Sequence, residues 1–404
     1  MLTLQPATRP RSRSRAKIGL ALAGGGPLGA FYELGALHAL AESVEGLDVT
    51  SLDVYVGVSS GAIVAAGLVN GFDPLDMGVL FIDNAADEYP MTPGLFLQPA
   101  FDEYARRMLG APGLLLEIAK QYLSAPWRGN WAQSLEPLGR LLPTGLFDNR
   151  PYERFLAHMF ESAGRSNDFR RLPHRLYVVA TDLDGGTAAR FGGPGLDDVP
   201  VSRAIQASTA LPGLYPPVEI RGHTYVDGAL MRTMHASLAL EEGADFVICV
   251  NPLVAYDAYA HGGRTRVEAG GFPLVMSQTF RALIQSRMLV GMAAYRHSHP
   301  HADMILFEPD RSDEQMFFVN MFKYSDRRRL VEHSYQRTRA DLRRRDARLR
   351  PLLARHGLRL RHDVLADEDR TYQAAVKERR RHYQPVTGRL HATLDRLAAR
   401  LAVT

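Results

Sequence analysis

The sequence predicts an α/β fold: a three-layer sandwich with a mainly parallel central sheet flanked by helices, plus a helical C-terminal extension. Three observations predict it. Residues 17–69 read as strand, loop, helix, strand, turn, helix. Short apolar runs bounded by loop signals recur at 176–180, 246–250 and 304–307. After Lys323 the apolar period becomes helical, with Val331, Tyr335, Thr338 and Leu342 on one face.

Each element follows from its local pattern. Residues 17–23 (KIGLALA) are a short apolar run that ends at glycines, which suits a buried strand. Gly24 to Gly29 is a loop, and Phe31, Leu34, Leu37 and Leu40 then recur at helical spacing. Residues 53–56 are the second strand, 57–61 a tight turn, and 62–69 a small-residue helix suited to close packing on a sheet. Residues 71–170 break the alternation and read as a helical insertion, with apolar stretches at 95–97 and 114–116 and the pair Trp127 and Trp131. Within it, 91–131 either covers the sheet or forms an apolar lid, and the pattern favours neither. Residues 201–210 form a helix that Pro212 ends, and 224–226 lead as a strand into a turn at Asp227-Gly228. Pro385 and Gly388 set off a last amphipathic helix, 390–401. The expected organisation is a disordered basic N-terminus over 1–15, a main domain over 16–322, and a basic helical extension over 323–404.

Charge is unevenly spread. Residues 323–404 hold 22 Lys+Arg against 10 Asp+Glu, leaving 26 against 34 for the rest. A mildly acidic body with a basic tail points to an anionic surface as a partner. The basic helix 326–350 reads first as an outer helix packed by its apolar stripe, then as a membrane-docking element, and last as a contact for oligomers or nucleic acid. No nucleic-acid recognition motif accompanies the charge, so none is expected to bind. No run is apolar and long enough to span a bilayer. The Arg/Ser/Pro-rich start has no apolar segment of signal type. The expected location is the cytoplasm, with peripheral membrane association. The single cysteine, Cys249, lies in the apolar run 246–250, so no intrachain disulfide can form and a buried thiol is expected.

The chemistry concentrates in three motifs. Gly57-Val58-Ser59-Ser60-Gly61 matches G-x-S-x-G, a bent turn that exposes a serine between a strand and a helix. A free hydroxyl is a poor nucleophile and needs a positioned base. Gly24-Gly25-Gly26-Pro27-Leu28-Gly29 follows a strand and opens a helix. Backbone N–H groups in such a loop can stabilise the negative oxygen of an acyl-transfer transition state. Gly25 and Gly26 are the expected donors, with Ser60 assisting. The same glycines fit G-x-G-x-x-G, but a dinucleotide site also needs an acidic residue about 20 positions on. The second strand instead runs into Gly57-Val58-Ser59, which disfavours it. Asp227-Gly228-Ala229 supplies the carboxylate base that Ser59 lacks. His223, four residues before Asp227, reads as a strand or turn residue. His235, His297, His299 and His301 lack carboxylates at ligand spacing, so no metal is expected.

These three motifs in this order resemble the patatin-like phospholipase family. Ala180-Thr181-Asp182-Leu183 and the segment 204–213 (AIQASTALPG) are similar to two further stretches of that family. The resemblance implies a Ser-Asp dyad of Ser59 and Asp227 and an oxyanion hole of Gly24, Gly25, Gly26 and Ser60. It also implies structural glycines at Gly29, Gly57, Gly61 and Gly228, no cofactor, and a phospholipid or lysophospholipid substrate. Two departures stand out. Leu28 replaces the usual Arg or Lys of the loop, and residues 230–234 lack the usual Asn-Pro. A silent lipid- or partner-binding relative and an acyltransferase remain open beside a hydrolase.

Overall fold

The computed structural model describes residues 1–11, 15–82, 93–105, 107–109, 113, 142–162, 164–232, 234–260, 266–317 and 324–379. Among them, nine strands form one sheet: β1 (Leu2–Gln5), β2 (Ile18–Leu22), β4 (Val54–Val58), β5 (Arg175–Asp182), β6 (Thr187–Phe191), β7 (Val218–Ile220), β8 (His223–Asp227), β9 (Phe246–Val250) and β10 (Asp303–Phe307). Their order is β1-β10-β9-β2-β4-β5-β8-β7, with β6 also on β5. The pairs from β10 through β9, β2 and β4 to β5 are parallel, and the flanking pairs are antiparallel. A two-residue ladder joins β3 (Val44–Glu45) to β11 (Arg359–Leu360).

Successive strand residues point to opposite faces, and both faces are covered, which explains the near-continuous apolar runs. Leu20, Leu22, Tyr55, Ile248 and Phe307 enter one core with the helices Gly26–Ser43, Ser60–Val69 and Arg150–Phe160. Ala21, Val56, Val58, Cys249 and Leu306 enter the other, against the helices Ala236–Glu241 and Gly271–Ser298. The architecture is the layered one the sequence predicts. Cys249 is fully buried, and burial raises its thiol pKa far above the ordinary range.

The C-terminal stripe Val331, Tyr335, Thr338 and Leu342 is buried. It belongs to the helix Tyr324–Arg344, which lies against the Gly26–Ser43 helix. Gly35 sits at their crossing: a Cβ there would lie 2.1 Å from Ser334 Oγ and 2.4 Å from the Val331 carbonyl oxygen. Ser334 Oγ donates to the Tyr32 carbonyl at 2.7 Å. Arg339, 1% exposed, donates to the carbonyls of Val364, Asp367 and Arg370 at 2.6, 2.5 and 3.2 Å.

Two differences from the sequence reading are informative. Residues 2–5 are not disordered but form β1, with Leu2 opposite Phe307 and fully buried. Local pattern cannot reveal this, because the pairing partner lies some 300 residues away. The helix Gly271–Ser298 also has no counterpart in the pattern reading. Its apolar residues run around both faces, which flattens the helical period. Trp127, Trp131, the 114–116 stretch, most of the 91–131 lid segment and the 390–401 helix lie outside the described residues.

Candidate active site

The C-terminal ends of β2 and β4 lie side by side, with Leu22 opposite Gly57. Each strand feeds directly into a helix, Gly26–Ser43 after β2 and Ser60–Val69 after β4. The first N–H groups of a helix have no partner within it. Two sets of free-ended amides, at Gly26 and Ser60, therefore sit at one edge of the sheet, the edge where parallel α/β proteins place their ligands.

β5 explains how a residue 168 positions away reaches Ser59. Val178 and Val179 pair with both β4 and β6, so those two strands lie on opposite edges of β5. Residues 180–182 pair with β6 and with β8, which places β8 on the edge β4 has just left. Val58 lies opposite Val179, and Asp227 lies opposite Ala180. The end of β4 and the end of β8 therefore meet head-on along one edge. Ser59 Oγ donates to Asp227 Oδ2 at 2.7 Å.

Both residues are held by their backbones. Ser59 has φ 51° and ψ −123°, a left-handed conformation that costs a non-glycine residue about 1–3 kcal/mol. Its N–H donates to Ser208 Oγ at 2.8 Å, and Ser208 Oγ donates to the Val179 carbonyl at 2.6 Å. The Asp227 N–H donates to the Ala210 carbonyl at 3.0 Å. Thr181 Oγ1 donates to the Asp227 carbonyl at 3.0 Å, and the Ala229 N–H to Asp227 Oδ1 at 2.8 Å. The end of the Val201–Ser208 helix thus clamps both residues, Ser59 through Ser208 and Asp227 through Ala210. The segment 204–213 was singled out in the sequence, but Ser208 carried no assigned role there. A small hydroxyl on the last turn of a buried helix was its only signal.

Burial governs the electrostatics. Ser59 is 6% exposed and Asp227 4%. Desolvation pushes the Asp227 carboxyl up to about 6, against the opposing hydrogen bonds from Ser59 and Ala229. A carboxylate tuned to this range can accept a proton near neutral pH. Among the described residues the hydrogen-bond partners of Ser59 and Asp227 include no histidine. His223 Nδ1 instead pairs with Asp182 at 3.1 Å on the exposed hairpin. His235 is buried, and desolvation lowers it to about 3. His299 contacts Ser298, and His301 the Arg9 carbonyl. Among the described residues no cluster of three or more His, Cys, Asp or Glu could hold a metal ion.

The glycine loop runs against the serine. A Cβ on Gly24 would lie 3.0 Å from Ser59 Cβ and 3.1 Å from Ala229 Cβ. Gly25 precedes the helix as its cap, Gly26 opens it with φ 60°, and the Gly29 N–H closes the first turn on the Gly25 carbonyl at 3.0 Å. Leu28 packs on the hydrophobic core and carries no polar role. Gly57, the last residue but one of β4, lies beside Ala62, and Gly61 lies on the Leu22 backbone. Gly228 lies so close to the Val179 carbonyl oxygen, 2.1 Å from where a Cβ would be, that only glycine fits after Asp227.

A model of the patatin-like phospholipase family matches residues 20–240. The chain belongs to that family. The match takes in the glycine loop, Ser59, Ser208 and Asp227, whereas β1, β9 and β10 complete the sheet from outside it. Among solved structures, the chain is similar to VipD from Legionella pneumophila at 17% identity, with 81% of this chain and 66% of that one covered and a TM-score of 0.36. It is also similar to full-length ExoU from the type III secretion system of Pseudomonas aeruginosa, in complex with SpcU, at 15% identity, with 76% and 60% covered and a TM-score of 0.30. The chain thus spans less than two thirds of the length of either. No curated protein matches.

Proposed function

We propose that the chain is a lipid acyl hydrolase of phospholipase A or lysophospholipase type, with Ser59 as nucleophile and Asp227 as its base. Family membership supports the substrate class, and one observation carries the assignment of roles. A buried serine in a strained elbow donates a 2.7 Å hydrogen bond to a carboxylate whose burial has raised its proton affinity.

Ser59 Oγ attacks the ester carbonyl carbon while its proton passes to Asp227 Oδ2. Negative charge develops on the carbonyl oxygen, and the N–H groups of Gly25 and Gly26, with Gly24 and Ser60 beside them, stabilise it. The C–O bond breaks, and the leaving alcohol takes the proton from Asp227. Water then loses a proton to Asp227 and attacks the acyl-enzyme. Ser59 leaves with that proton, and the fatty acid is released. The intact Ser59–Asp227 pair argues against a silent relative.

A fluorophosphonate probe tests the reading. It should label the wild-type protein and fail to label Ser59→Ala, and Ser59→Ala and Asp227→Ala should each abolish release of fatty acid from lipid esters. A folded wild-type protein that takes up no label, or a Ser59→Ala variant with normal turnover, refutes it.

A further inference from the structure

We infer that the outward face of the Gly271–Ser298 helix docks the protein on an anionic lipid surface and brings the Ser59–Asp227 site to the bilayer. The inference rests on the lipid-hydrolase reading for the purpose of docking, not for the existence of the face.

The helix has 28 residues, a length of about 42 Å at 1.5 Å per residue. Its inner face is accounted for: Ile284, Met288, Met292 and Tyr295 are buried in the same core as Val58 and Ala229. Among the described residues, nothing packs over the outer face. Phe272, Leu283 and Val290 are 77%, 59% and 71% exposed, and Val275 and Leu289 beside them are also exposed. The spacings from Phe272 to Leu283 and on to Val290 are about three and two helical turns, so the three side chains form one line. Thr279, Ala282, Ser286 and Ala293 fill the spaces between them. Single exposed apolar residues are ordinary, but a continuous uncharged face of this length marks a contact surface.

Two observations select the occupant. The first is charge. Residues 271–298 contain no Asp or Glu, while Arg287 and Arg296 flank the apolar line as exposed cations. An apolar stripe bordered by arginine, on a helix without carboxylates, suits the boundary between anionic headgroups and acyl chains. No described helix is long and apolar enough to cross a membrane. The second is position. Arg287 donates to the carbonyls of Leu230 and Met231 at 3.1 and 3.2 Å, directly after the Asp227–Ala229 turn. Asn251 Nδ2 reaches Met288 Sδ at 3.0 Å, and the adjacent Pro252 packs on Gly25 and Gly29 of the glycine loop. A surface held by this helix is therefore beside both halves of the candidate site.

The test uses the full chain with vesicles of phosphatidylcholine alone and of phosphatidylcholine with phosphatidylglycerol. The variant is the double substitution Leu283→Asp, Val290→Asp at two exposed positions. Wild type should co-sediment with the anionic vesicles and release fatty acid from them. The variant should lose about tenfold or more in vesicle partition and in release from vesicles. Its melting temperature and its turnover of a water-soluble short-chain ester should not change. The inference is overturned if wild type ignores both vesicle types, or if the variant binds them as wild type does. It is also overturned if wild type is a dimer that the variant dissolves while vesicle partition stays the same, because the face would then belong to a second copy. Face-dependent vesicle binding without turnover of any ester would support the docking face and count against the hydrolase reading alone.

Discussion

Two long helices on opposite faces of the sheet use charge in opposite ways. The Tyr324–Arg344 helix belongs to the most basic part of the sequence, yet its principal face is buried, and Arg327 and Arg339 are buried with it. Arg339 holds three backbone carbonyls, Arg327 lies over the Phe31 ring, and Arg329 and Arg344 pair with Asp326 and Asp341. The Gly271–Ser298 helix carries few charges and leaves a line of apolar side chains in solvent. Net charge along a sequence thus identifies a surface poorly. What a helix leaves unburied after packing is the better guide.

The largest effect that sharpens this contrast is at the packed crossing. Gly35→Val should destabilise the protein by about 3 kcal/mol, because the new side chain meets a backbone oxygen that cannot move aside. Chemical denaturation measures it. Adding Ser334→Gly should not restore stability, since the Val331 carbonyl remains in place. Arg339→Met comes next, at about 2–3 kcal/mol, because three carbonyls lose their donor in a buried setting. A neutral result would break the contrast by making that arginine a surface residue in effect.

A pH series separates the docking face from the chemistry. Asp227 must be ionised to act as a base, so soluble-ester kcat/KM should fall about tenfold per pH unit below about 6. Partition onto anionic vesicles should not fall with it between pH 8 and 5, since acidification removes no positive charge from residues 271–298. The same carboxyl makes a stability prediction. Its folded value is raised above 3.8, so the fold favours the protonated form and loses stability as pH rises from about 4 through about 6. Asp227→Asn should therefore stabilise the protein at pH 8 by up to about 3 kcal/mol, and the gain should vanish near pH 4. The smallest effect is at the other helix: Leu283→Asp should change unfolding free energy by no more than about 0.5 kcal/mol. A larger loss would show that the outer face is packed.

The sequence made legible what is locally encoded. The strands around Leu20, Val56, Val178 and Ile248, and the bends at Ser59 and Asp227, each carry their signal within a few residues. The strand β1 was illegible because its four residues acquire meaning only beside β10. The Gly271–Ser298 helix was illegible because apolar residues on both faces erase the period. Ser208 and Ala210 were seen as part of a familiar segment, but their hydrogen bonds to Ser59 and Asp227 exist only once three distant pieces of chain converge.

The shared edge of β5 has a last consequence. Because β4 and β8 are both registered against one strand, β5 acts as a ruler for the distance between hydroxyl and carboxylate. A slip of β8 by a single residue would turn the carboxylate to the opposite side of the sheet and leave the serine with no base.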